Sequence, residues 1–201
     1  MTAERRGFFR DNAFLVAAVA LPAFIALFFI GANAIPHWTV PDPAYDLVFR
    51  AAHPYEANPA AVTVDFIVRN GQVEALVRPA PPQSYTPRWG LLRFNHASMQ
   101  VREIPLDLPA MVPEGETLTI PVTALAGERL VDDVVAPDGY RLHTDGRAGG
   151  GIVGDLFGMR RSRSGLSLAR NGRVIAIPLP PPYDTAYAQT ATIGWIADEG
   201  R

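Results

Sequence analysis

The chain has 201 residues, with 18 basic and 20 acidic side chains, a formal net charge of −2 and no cysteine; every basic residue is arginine. The lack of cysteine excludes thiol nucleophiles, Fe–S clusters, cysteinate metal sites and disulfide bracing, and the lack of lysine excludes Schiff-base chemistry and the Walker-type phosphate loop. The slightly acidic balance argues against a general nucleic-acid binder, whose affinity rests on clustered positive charge.

The first element is an uncharged apolar run at 13–31. At 1.5 Å per residue it makes a helix of about 29 Å, close to the roughly 30 Å hydrocarbon thickness of a bilayer. The reading is a transmembrane helix over 13–34, preceded by a cytoplasmic segment 1–12 and followed by a linker 35–44 and an exported domain 45–201. Arg5, Arg6 and Arg10 precede the run and no further base follows until Arg50, which puts the N-terminus inside and the bulk outside. Ala32-Asn33-Ala34 has the form of a signal-peptidase site, so cleavage after Ala34 competes with a retained anchor. The run is longer than the roughly 7–15 apolar residues of a signal-peptide core, which favours the anchor. Either outcome exports 35–201. Arg-only, Ala-rich and Pro-rich usage fits a GC-rich bacterial genome, so the expected location is a bacterial inner membrane with the domain in the periplasm.

Along the helix, Ala13, Ala17, Ala20, Phe24, Leu27 and Gly31 recur at a 4-3-4-3-4 spacing that lines one face, where small residues admit close approach of a second helix. Pro22 lies mid-span, where membrane helices tolerate proline. Trp38 is expected at headgroup level.

The prolines of 40–43 suggest an extended link, and 45–50 reads as a first strand. Alternation over 64–77 around Asn70-Gly71 predicts a type I′ hairpin, with Val68 opposite Val73, Phe66 opposite Ala75 and Val64 opposite Val77. One face is then apolar; the other, with Asp65, Ile67, Arg69, Gln72, Glu74 and Leu76, is mixed. A proline-rich link at 79–87 leads to short strands at 89–94, 99–104 and 116–122. A short helix is predicted at 124–133, weakened by Gly127. A second Asn-Gly hairpin spans 166–177, with Leu168 opposite Ile175 and Leu166 opposite Ile177. Polyproline II is expected at 178–182 and a last strand, containing Trp195, at 190–197. The fold class is all-β, an antiparallel β-sandwich or open barrel following a single N-terminal transmembrane helix.

The run 149–154 satisfies G-x-G-x-x-G but lacks the preceding buried strand and following helix of a dinucleotide site. The segment 146–164 reads instead as one long loop. Ile152, Val153, Leu156, Phe157 and Met159 form an apolar tip beside Arg160, Arg161 and Arg163, suited to a partner groove or the headgroup layer; the competing reading is a surface loop folded back on the domain. Of His37, His53, His96 and His143, only His96 has a soft donor at ligand spacing, Met99, and a strand would put the two on opposite faces, so the pair needs a turn. Asp132-Asp133 and Glu114-Gly115-Glu116 read as solvated turn carboxylates, and neither Gly-x-Ser-x-Gly nor His-Glu-x-x-His occurs. No catalytic, cofactor or metal residue is assigned. The expected function is non-enzymatic: an accessory or assembly subunit of an inner-membrane protein complex, in contact with the lipid bilayer and not with nucleic acid. The alternatives are a ligand or metal carrier and an enzyme with a dispersed site.

Overall fold

The computed structural model describes residues 12–57, 62–81, 87–144, 166–183 and 189–197. The chain divides into two compact units, Met1–Pro41 and Asp42–Arg201.

The first unit is helix α1, Ala13–Thr39, with Pro22 and Pro36 inside it. Its apolar stretch is long enough to cross a membrane, and none of that stretch is buried among the described residues. The helix runs past residue 34. Its last turn is closed by Val40 N–H donating to Pro36 O at 3.0 Å and by Thr39 Oγ1 donating to Ile35 O at 2.9 Å. The first half of the expected linker, 35–39, is therefore helical, because proline at 36 removes one N–H without stopping the turns on either side.

The second unit is built from antiparallel strands: β1 Asp46–Ala57, β2 Val62–Arg69, β3 Gln72–Pro79, β4 Pro87–Asn95, β5 Gln100–Ile104, β6 Leu118–Pro121, β7 Arg129–Val131, β8 Arg141–His143, β9 Ser167–Arg170, β10 Arg173–Ala176 and β11 Gln189–Ala197. They form a five-stranded sheet ordered β5-β4-β1-β11-β7 and two three-stranded sheets, β2-β3-β6 and β10-β9-β8. No closed barrel is present among the described residues.

Both Asn-Gly hairpins form in the predicted register. Val68 pairs with Val73, Phe66 with Ala75 and Val64 with Val77. Leu168 pairs with Ile175, and Ile177 N–H reaches Leu166 O. Both turn residues have positive φ in each case, 54° and 78° at Asn70-Gly71 and 44° and 83° at Asn171-Gly172, the requirement that selects this dipeptide.

The apolar face of the first hairpin, Val62, Val64, Phe66, Val73, Ala75 and Val77, joins Val48, Leu91, Ile104, Leu130 and Ile193 of the five-stranded sheet in one buried cluster. The five-stranded sheet also buries its opposite face. Leu47, Phe94 and Trp195 stand directly opposite one another across β4, β1 and β11, and all three are fully buried. Two buried faces explain why β1 and β4 carry consecutive apolar residues instead of an alternating pattern.

Two expectations are corrected. The helix at 124–133 is absent: Thr123–Leu125 makes a single 3₁₀ turn, and Arg129–Val131 is strand β7. Gly127 at φ 87° leaves helical space, and the segment bonds instead to the first hairpin, Val122 N–H to Val73 O at 3.0 Å and Leu130 N–H to Gly71 O at 2.8 Å. The proline run 178–182 ends in a turn with a cis bond between Pro181 and Pro182 and does not continue as polyproline II.

Candidate functional site

The predicted packing face of α1 stands open. Ala13, Ala17, Ala20, Phe24 and Leu27 are exposed, Phe24 by 71% and Leu27 by 67%, and Gly31 is half-buried. Trp38 is also exposed. Leaving such side chains in water forfeits about 1.5–3 kcal/mol for each large one, a cost that lipid or another apolar helix removes.

In the second unit, the densest polar assembly surrounds Asp46, the first residue of β1 and only 5% exposed. Its Oδ2 accepts Arg93 Nε at 2.7 Å and Asn95 Nδ2 at 3.1 Å, and lies 2.7 Å from Arg93 Nη2. Its Oδ1 accepts the His96 backbone N–H at 2.8 Å and lies 2.6 Å from His96 Nδ1. Burial pushes the Asp46 carboxyl up, but the His96 and Arg93 donors outweigh it and hold the group below its ordinary range. The carboxylate is thus ionised and can only accept, which places the imidazole proton on Nδ1. Burial also works against the Arg93 charge, but Asp46 and Glu128 raise its pKa above the ordinary value; Glu128 Oε1 accepts Arg93 Nη1 at 2.7 Å. Glu128 is tied in turn to the first hairpin, its carbonyl accepting Gln72 Nε2 at 3.0 Å.

This constellation was not legible in the sequence, because it joins residues 35 to 50 positions apart that share no motif. Chemically it is a pin. A carboxylate held ionised and surrounded by donors has little basicity left for proton abstraction. His96 and Met99 do share a turn, 96–99, as their ligand spacing requires, but Nδ1 is committed to Asp46. Among the described residues no three of His, Asp and Glu gather as metal ligands. His37 and His143 are exposed, as are Glu114, Glu116, Asp132 and Asp133. Asp133 caps its own turn by accepting Val135 N–H at 3.1 Å, so the reading of turn carboxylates holds there.

A shallow groove of about 110 Å³ runs between 105–108 and β6 with its following residues, over Ala75; Leu106, Asp107, Leu108, Ile120 and Thr123 help line it. Leu106, Leu108 and Ile120 are partly buried against the main apolar cluster. The loop residues Ile152, Val153, Leu156, Phe157, Met159, Arg160, Arg161 and Arg163, and the glycine run 149–154, lie outside the described residues.

These features define an antiparallel β-sheet protein that carries one N-terminal helix long and apolar enough to cross a membrane. Comparison with protein-family models, curated proteins and solved structures finds no match for the chain.

Proposed function

We propose that the chain is a single-pass bacterial inner-membrane protein whose exported β-domain, a sandwich in which two sheets share one apolar cluster, acts by binding as an accessory or assembly subunit of a membrane complex. The observation that carries the reading is α1, 27 residues with an apolar stretch none of which is buried among the described residues. The three arginines before it and the next base only at Arg50 support a cytoplasmic N-terminus and a periplasmic domain. The spending of Asp46 on structural donors supports binding over catalysis.

The test is purification of tagged full-length protein from its native membrane in mild detergent, with mass spectrometry of what travels with it. The expected result is retention in the membrane through an alkaline carbonate wash and a stoichiometric membrane-protein partner. Release by the wash refutes the anchor; an anchored protein that purifies alone refutes the subunit reading.

A further inference from the structure

Resting on the reading of the domain as a partner-binding subunit, we infer that the groove beside β6 receives an extended, arginine-bearing segment of the partner protein, which adds to the sheet β2-β3-β6 as a fourth strand.

Strand β6 is one edge of that sheet and has no strand on its outer side among the described residues. Its pairing fixes which groups are available: Val122 N–H bonds to Val73 O, so by strand alternation 118, 120 and 122 turn their backbone toward β3, whereas Thr119 and Pro121 turn theirs outward. Proline has no N–H, which leaves the Thr119 amide and two carbonyls to pair with an incoming chain and blunts the edge against indiscriminate pairing. The opposite wall is just as open. From 106 to 112 the backbone makes no hydrogen bond to the described chain, although Leu106 and Leu108 turn inward and Asp107 outward in the manner of a strand. An open strand edge facing an unpaired segment over an apolar floor suits one added strand, and the cavity has room for one aliphatic side chain.

Charge decides what kind of chain enters. From Glu103 to Glu128 the sequence holds five acids, Glu103, Asp107, Glu114, Glu116 and Glu128, and no basic residue. Glu128 is paired with Arg93, which it shares with Asp46. Asp107 lines the groove, and Glu114 and Glu116 stand in the segment that leads into β6; all three are exposed and have no ion-pair partner among the described residues. An incoming strand with arginines flanking an aliphatic residue complements this surface; an acidic one is repelled.

The experiment titrates full-length protein in an uncharged detergent against a fluorescent Arg-Val-Arg-Val-Arg peptide and its glutamate counterpart, following anisotropy. Thr119→Pro removes the one outward amide without touching the ladder to β3, and Asp107→Asn removes one exposed charge; near-ultraviolet circular dichroism confirms that both variants fold. The basic peptide is expected to bind and the acidic one not, with affinity about tenfold weaker in Thr119→Pro and about threefold weaker in Asp107→Asn. Equal binding of the two peptides, or unchanged binding by folded Thr119→Pro, overturns the proposal. So does self-association of the protein that Thr119→Pro abolishes, because the occupant is then a second copy. A membrane partner that Thr119→Pro retains in full removes the groove and leaves the subunit reading standing, whereas peptide binding by a protein that purifies alone removes the subunit reading instead.

Discussion

Replacing Asp46 by asparagine keeps the volume of the side chain and exchanges one acceptor for a donor. The wild-type carboxylate serves Arg93 and Asn95 with Oδ2 and His96 with Oδ1. The amide oxygen can serve one of these sets, and the amide NH₂ then meets N–H groups of the other. Removing one member of a buried charge pair costs about 3–5 kcal/mol. Arg93, however, is 33% exposed and keeps Glu128, so solvent screening brings the expected loss to about 2–4 kcal/mol. For a domain of this size that is a fall in Tm of roughly 4–16 °C. The assay is thermal unfolding of full-length protein in detergent, followed by near-ultraviolet circular dichroism, which reports on the buried Trp195. The pH dependence has a definite sign. The folded carboxyl lies below its ordinary value, so the stability it supplies is complete above about pH 4 and is lost as the pH falls through the lower folded value. The gap between wild type and Asp46→Asn therefore narrows as the pH falls below about 4. A gap under about 2 °C at neutral pH, or one that persists unchanged to about pH 3, refutes the reasoning.

Two further outcomes are expected from substitutions at glycine. Gly71→Ala loses about 2 kcal/mol in a urea titration and Gly127→Ala about 1 kcal/mol, since both force a β-carbon into positive φ but a β-carbon at Gly71 also meets Arg129 Cγ at 2.8 Å whereas one at Gly127 meets nothing within 4 Å. Equal losses refute that ranking. Gly90→Ala places a β-carbon 2.0 Å from Tyr183 Oη and 2.5 Å from Cζ, on a ring that is buried and donates to Glu103 at 2.9 Å. The expected cost is about 2–3 kcal/mol, and the double variant Gly90→Ala/Tyr183→Ala is expected to be no less stable than Tyr183→Ala alone; a further loss in the double variant shows that Gly90 serves something other than this ring.

What could be read from the sequence was local. The hairpins at Asn70-Gly71 and Asn171-Gly172 announce themselves because the turn chemistry, the alternation and the register are carried within about a dozen consecutive residues. The segment 124–133 misleads because Ala124, Leu125, Ala126, Leu130 and Val131 offer apolar groups without saying what they meet; Leu130 is drawn into a strand by the Gly71 carbonyl, a partner nearly sixty positions away. The strand order β5-β4-β1-β11-β7, the Asp46 pin and the groove beside β6 are likewise long-range, and no spacing rule encodes them. Helix α1 is the opposite case, since its length and apolar character are carried by consecutive residues and can be compared directly with bilayer thickness. Of the loop over 146–164, composition was the whole content of the reading.

The pairing of β1 with β11 bears on how the domain is made. Strand β11 is an interior strand of the five-stranded sheet, flanked by β1 and β7, so during synthesis β1 emerges early and must wait for more than a hundred further residues before one of its two edges is covered. Throughout that interval Leu47 and Phe94 lack Trp195 beside them, and β1 keeps an open edge. A product that stops before Gln189 thus resembles a half-made sheet more than a shortened domain, one that proteases or chaperones must intercept. For this fold, closure of the largest sheet depends on the arrival of β11.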